Sequence, residues 1–190
     1  MEKLELRKLI YSDLYRYNGD TSLKSFIRHL LLNPGFKYMY FFRKCQFYKY
    51  QKFTFRYIFT RIILRRLMYK YGLEIPHTTK IGKGFYIGHF GGITINPASL
   101  IGENVNISKG VTIGQTNRGK SKGAPKIGDN VWIGPNAIIV GNVKIGNNVL
   151  IAPGSYINFD VPDNSIVIGN PGNISYSKNA TDGYINNVVG

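Results

Sequence analysis

The sequence predicts a mainly β protein: a parallel β-helix of about four coils, preceded by an α-helical domain over residues 1–72 and followed by a short tail. Three observations carry this. An isoleucine returns every six residues at Ile81 and Ile87, at Ile95, Ile101, Ile107 and Ile113, and at Ile127, Ile133, Ile139, Ile145, Ile151 and Ile157. A small or β-branched residue follows four places later at Val105, Val111, Val131, Ala137, Val143, Val149 and Ser155. Residues 1–72 show helical spacing instead, and they hold most of the charge. A six-residue period fits neither one face of a helix nor an alternating strand. It fits one short strand plus its turn, and three such units close a triangular coil. Each isoleucine then points inward and stacks on its counterpart one coil away, burying roughly 1.5–3 kcal/mol per side chain.

The elements follow in order. Residues 2–18 place Leu4, Leu6, Leu9, Ile10, Leu14 and Tyr15 at spacings of three and four among charges, which predicts an amphipathic helix. Gly19 to Ser22 ends it and offers caps for a second helix through Leu23, Phe26, Ile27, Leu30 and Leu31. Asn33-Pro34-Gly35 reads as a turn. From Phe36 to Tyr71 the chain is crowded with Phe, Tyr, Lys and Arg, and two helices split between Gln51 and Phe55 are the simplest account. The β-helix occupies residues 73–174 and breaks its period twice. Ile93 is followed by Ile95 after two residues, so the Gly91-Gly92-Ile93-Thr94 region is expected to bulge or cut a corner. Ile113 and Ile127 stand fourteen residues apart, so eight extra residues leave the coil in a basic, glycine-rich loop over 115–126, a candidate functional loop. After Ile157 the period fails, and residues 175–190 are expected to be flexible or a loose cap.

Composition narrows the function. The single cysteine, Cys45, excludes an intramolecular disulfide, and no apolar run approaches the roughly 20 residues that span a bilayer. The start lacks the apolar core of a secretory signal, so a cytoplasmic protein is expected. The net charge of +15 is uneven: residues 1–72 hold 16 Lys/Arg against 4 Asp/Glu, and residues 73–190 hold 9 against 6. Such a basic domain meets a phosphorylated substrate, an anionic membrane or a nucleic acid. Aromatics interleaved with basic residues in a small helical domain serve more often as core and rim than as base-stacking platforms, so no nucleic-acid partner is expected. Residues 57–70 combine large apolar side chains with Arg61, Arg65, Arg66 and Lys70, which points to peripheral contact at the inner membrane surface. The three histidines, His29, His77 and His89, are scattered and form no zinc-site spacing, so no metal is expected. His89 stands in Ile87-Gly88-His89-Phe90-Gly91-Gly92, beside the first break, where an imidazole can serve as general base.

The repeat, the corner with a lone histidine, the two-residue slip and the Gly/Lys-rich loop ending in Pro125-Lys126-Ile127 resemble the hexapeptide-repeat acyltransferases, and within them the serine O-acetyltransferase branch. The resemblance covers roughly residues 71–174, and residues 11–48 look like that branch's helical part, shortened. It implies a left-handed winding, a homotrimer, and transfer of an acetyl group from acetyl-CoA to a hydroxyl. It places the catalytic base on His89, with Glu74 at the position of the carboxylate that orients it, and a backbone N–H at the oxyanion. Gly114, Thr116, Pro135 and Pro153 match positions lining the pantetheine groove. Asn173 stands where relatives carry a basic residue, so Arg118, Lys120 and Lys126, or a neighbouring subunit, are expected to meet the coenzyme's phosphates. The branch holds its amino acid with an acidic residue before the base and an Arg-His pair ending the loop; this chain has Gly88, Gly123 and Ala124 there. Losing polar contacts of that kind weakens discrimination by orders of magnitude. The expected acceptor is therefore a sugar hydroxyl on a glycan, in surface polysaccharide biosynthesis. Serine O-acetyltransferase activity and a non-enzymatic binding scaffold are the alternatives.

Overall fold

Four helices come first, and local chemistry sets their ends. α1 (Lys3–Asn18) stops at Gly19, whose φ of 70° is the left-handed conformation that glycine tolerates. The Ser22 hydroxyl caps α2 (Leu23–Leu32) by accepting from the Ser25 amide. Asn33 accepts from the Phe36 amide and so caps α3 (Pro34–Tyr50), with Pro34 in the first turn, where its missing N–H leaves no bond unmade. The turn expected at 33–35 is thus a helix start. α4 (Thr54–Tyr71) ends at Gly72, with φ 60°. The computed structural model describes residues 2–190.

The chain then winds into a prism with three faces of parallel strands. The first face holds Leu73–Glu74, Ile93–Ile95, Thr112–Gly114, Ile138–Val140 and Tyr156–Ile157; the second holds Lys80–Ile81, Leu100–Ile101, Lys126–Ile127 and Lys144–Ile145. The third holds Tyr86–Ile87, Asn106–Ile107, Val131–Ile133, Val149–Ile151 and Ser165–Ile168, closed by an antiparallel strand, Asn173–Tyr176. Register stacks the isoleucines in columns. Ile95, Ile113, Ile139 and Ile157 line one, Ile81, Ile101, Ile127 and Ile145 the second, and Ile87, Ile107, Ile133 and Ile151 the third, all buried. The winding is consistent with the left-handed sense that the resemblance implies.

The prism has five coils rather than about four, because the first face alone carries five strands. Ile75 extends the first column downward, and Val161 and Val167 extend the other two upward, pairing with Ile145 and Ile151. A count restricted to isoleucine misses the valines, and Val161 follows Ile157 after four residues instead of six, which disguises the resumed beat. Of the two forms expected for the slip, the turn takes the bulging one. Ile93 pairs with Leu73 at the secondary inward position, so the coil is not shortened there. Eight residues separate Ile87 from Ile95, and the two extra ones swell the turn at 88–92.

Open ends of a solenoid must be covered. Tyr38, Met39, Phe42 and Cys45 of α3 and Leu64 of α4 join the isoleucine columns in one buried cluster, so the helices plug the first coil. A buried ion pair fixes their position. Arg43 donates from Nε and Nη2 to the Asp13 carboxylate at 2.9 and 3.1 Å, and from Nη1 and Nη2 to the Ile81 and Gly82 carbonyls at 2.7 and 2.6 Å. Burial pushes the Asp13 carboxyl up from its ordinary range, while Arg43 and the Phe85 amide that donates to it pull the other way. Arg16 donates to the Gly84 carbonyl and the Asn106 side chain, both at 2.7 Å.

Residues 175–190 lie against the prism. Thr181 donates to Asn148, Tyr184 packs on Trp132 at 4.8 Å between ring centroids, Arg16 donates to the Asn186 carbonyl, and Asn104 bonds Val189 in both directions. The segment follows one corner of the prism, where Asn104, Asn130, Asn148 and Asn164 hold left-handed turns.

Gly35 is where α3 meets the first coil. A Cβ there would stand 2.6 Å from the Ile87 carbonyl oxygen and 2.7 Å from the Tyr17 hydroxyl. Gly35→Ala is therefore expected to lower stability by about 1–3 kcal/mol. A urea midpoint equal to that of the native protein would show that the helices and prism are not in rigid contact at this point.

Candidate active site

His89 sits in the swollen turn between the third face and the first. Gly91 and Gly92 have φ of 112° and 65°, so the turn needs glycine at both. The turn is tied to the next coil by the Gly88 amide, which donates to the Ile107 carbonyl, and by the Gly110 amide, which donates to the Gly91 carbonyl. Phe90 packs edge-on against Tyr71 at 5.5 Å, which braces the loop against the end of α4. The His89 side chain is exposed. Among the described residues, the imidazole makes no hydrogen bond or ion pair.

Glu74 follows Gly72, on the first strand of the first face. Its carboxylate accepts from the Thr94 hydroxyl at 3.3 Å, its neighbour in register one coil on. It opens into a shallow cleft lined by Met68, Tyr69, Gly72, Leu73, Gly92, Ile93 and Thr94. Gly92 belongs to the turn that carries His89, so the two residues border one region. Among the described residues, no hydrogen bond or ion pair joins Glu74 to His89. Thr94 was not singled out from sequence; the signal for it was its place beside Ile93 and Ile95, which faces it outward next to Glu74 once the register is known.

The seven residues matched to the coenzyme fall on two corners. Pro135 and Pro153 lie at the corner of His89, between third and first faces; the Gly154 amide donates to the Pro135 carbonyl across adjacent coils. Gly114, Thr116, Arg118, Lys120 and Lys126 lie at the next corner, between first and second faces. There residues 115–126 form a small hairpin, with Thr116 and Gly123 exchanging backbone bonds of 2.9 Å and the Asn142 amide donating to the Ser121 carbonyl. Arg118, Lys120 and Lys126 are exposed, and among the described residues none is in an ion pair. One chain thus does not gather these residues into a single groove.

The Gly88 position is tight. A Cβ there would stand 2.9 Å from Cε1 of Tyr86, so the tyrosine ring occupies the space that a side chain at 88 would enter. Tyr86 in turn packs on Tyr17 of α1 at 4.6 Å, a contact invisible in the sequence because 69 residues separate the two. His77, unassigned from sequence, bonds the Tyr57 hydroxyl at 3.1 Å, and burial holds its pKa below the ordinary value. Among the described residues, no group of three or more His, Cys, Asp or Glu could hold a metal ion.

Comparison with known proteins adds independent findings. Residues 124–158 match the family model described as bacterial transferase hexapeptide (six repeats). The chain is 42% identical over 119 residues to a serine acetyltransferase of Staphylococcus epidermidis and 41% identical to one of Staphylococcus aureus, covering 63% of this chain. It spans just over half the length of these curated relatives, 56%. Among solved structures it is similar to the serine acetyltransferase of Neisseria gonorrhoeae in complex with serine, with TM-score 0.74 and 30% identity over 90% of this chain and 69% of that one. Soybean serine acetyltransferase complexed with serine gives TM-score 0.75 and 31% identity, over 91% and 70%. Such coverage cannot be reached without the helices, since residues 73–190 are 118 of 190.

These likenesses overturn the expectation of a sugar acceptor and of a place in polysaccharide biosynthesis. The missing side chains at Gly88, Gly123 and Ala124 bear on how firmly an amino acid is gripped, and they do not by themselves specify a sugar. The match in helices, prism and loop together weighs more, and by it the chain belongs to the serine acetyltransferase branch of the hexapeptide-repeat transferases.

Proposed function

We propose that the protein is a serine O-acetyltransferase using acetyl-CoA, with His89 as general base. The observation that carries this reading is the likeness, across helices and prism, to two serine acetyltransferases that hold serine. The coenzyme thioester supplies the acetyl group. His89 takes the proton from the serine hydroxyl as the oxygen attacks the thioester carbonyl, with a backbone N–H of the same turn at the oxyanion. The tetrahedral intermediate then collapses, its C–S bond breaks, and the departing coenzyme A sulfur takes the proton back from the imidazolium, leaving O-acetylserine and free thiol. Glu74 is the positioning residue: its carboxylate leaves Thr94 to hold the imidazole and to stabilise the imidazolium that forms.

The exposed, unpaired Arg118, Lys120 and Lys126 suit the coenzyme's phosphates, while Gly114, Thr116, Pro135 and Pro153 line its pantetheine arm. Because these groups sit at two corners, the groove is completed when the corner of one copy faces the loop of the next, and a homotrimer of prisms satisfies that geometry for every copy. Gly88, Gly123 and Ala124 leave the amino and carboxylate groups of serine with fewer partners, so a high KM for serine is expected rather than a low kcat.

The test is release of free coenzyme A thiol by the purified full chain with acetyl-CoA and L-serine. Serine-dependent release that saturates only at millimolar serine is expected. A folded protein that is stabilised by coenzyme A but shows no serine-dependent release would overturn the acceptor assignment.

A further inference from the structure

The outer side of α4 is unlike an ordinary solvated helix. Its inward face, Tyr57, Thr60, Leu64, Leu67, Met68 and Tyr71, packs on α3 and the first coil. The opposite face, at spacings of three and four, carries Phe55, Ile58, Phe59 and Ile62, exposed by 83%, 50%, 57% and 49%. Four large apolar side chains stand in one stripe directly away from the core, and among the described residues none of them joins a buried cluster. Arginines flank the stripe: Arg56 on one side, Arg61 and Arg65 on the other, all exposed, with Arg61, Arg65, Ile58 and Ile62 lining one shallow groove. Among the described residues, none of Arg56, Arg61, Arg65 or Arg66 is in an ion pair. Residues 21–73 hold 12 Lys/Arg and no Asp or Glu.

Charge selects the occupant. A second copy laid on the same face would set Arg61 and Arg65 against their own counterparts, with no carboxylate on α4 or α3 to separate them. A nucleic acid would meet the arginines but leave Ile58 and Ile62 against its phosphates. An anionic bilayer satisfies both: aliphatic and aromatic side chains enter the boundary between headgroups and acyl chains, and guanidiniums remain at the level of the lipid phosphates. Among the described residues, no helix is long and apolar enough to cross a membrane, so the contact would be peripheral.

We propose that the outer face of α4 docks the protein on an anionic lipid surface, with Phe55, Ile58, Phe59 and Ile62 inserted and Arg61 and Arg65 on the phosphates. This does not depend on the acetyl-transfer reading, and its test uses no enzyme assay. The full chain is sedimented with vesicles of phosphatidylcholine alone or with about a third phosphatidylglycerol. Preferential binding to the anionic vesicles is expected, weakened by salt. Near a charged surface each arginine contributes about fivefold, so Arg61→Gln with Arg65→Gln should weaken binding about 25-fold. Phe55→Ser with Phe59→Ser should weaken it at least about tenfold; these exposed positions leave the fold intact, which circular dichroism checks. Equal binding to both vesicles, or none, overturns the proposal. So does a fall in the solution mass of the lipid-free protein on Phe55→Ser with Phe59→Ser, which would assign the face to a second copy.

Discussion

Replacing His89 by alanine is expected to lower kcat for acetyl transfer to serine by about 10²–10⁴-fold, the usual worth of a positioned general base. The melting temperature should not move, because the imidazole is exposed and, among the described residues, makes no hydrogen bond that the fold could lose. Steady-state release of coenzyme A thiol measures the first quantity and thermal unfolding the second. Retention of more than about a tenth of native kcat would remove His89 from the mechanism. Glu74 gives a sharper contrast. Glu74→Gln keeps the shape and the acceptor for Thr94 but removes the charge that supports an imidazolium. A fall in kcat with KM unchanged, partly rescued in Glu74→Asp, is the signature of positioning; a loss of stability alone would leave Glu74 as a partner of Thr94 and nothing more.

Arg43→Ala should produce the largest loss of stability, about 3–5 kcal/mol, because it strands the Asp13 carboxylate in a site where both side chains are 1% exposed. The Ile81 and Gly82 carbonyls lose a donor at the same time. Since Arg43 joins α1 and α3 to the first coil, the loss should appear as a lower urea midpoint for the whole chain rather than as separate melting of the helices. The double variant Asp13→Leu with Arg43→Met, which removes both charges and fills the space, should recover the part of the loss that comes from the stranded carboxylate, and not the part that comes from the Ile81 and Gly82 carbonyls and the Phe85 amide, which stay without partners. If Arg43→Ala costs less than about 1 kcal/mol, some other contact holds the helices to the prism.

Much of this molecule is legible along the chain. The six-residue beat specifies the coil because one inward side chain per strand and turn is a local, repeated requirement, and the helices follow from spacing and from the break between Gly19 and Ser22, whereas Asn33 and Gly72 show themselves as caps only in the structure. Where the beat changed residue type, at Val161 and Val167, the reading stopped one coil short although the inward requirement had not changed. The acceptor was misread for a different reason. Absent side chains at positions 88, 123 and 124 are a statement about binding strength, and treating them as a statement about identity moved the reading to sugars.

The sequence by itself determined the column of isoleucines, the positions of its two interruptions and the lone histidine in the first, since each is a property of neighbours along the chain. Only the tertiary structure decided that Glu74 meets Thr94, that Tyr86 closes the space beside Gly88, that Arg43 and Asp13 weld the helices to the first coil, and that the groove residues part to two corners. Those facts depend on which residues coiling brings side by side across tens of positions. Stacking of coils and docking of helices set that, and no local pattern encodes it.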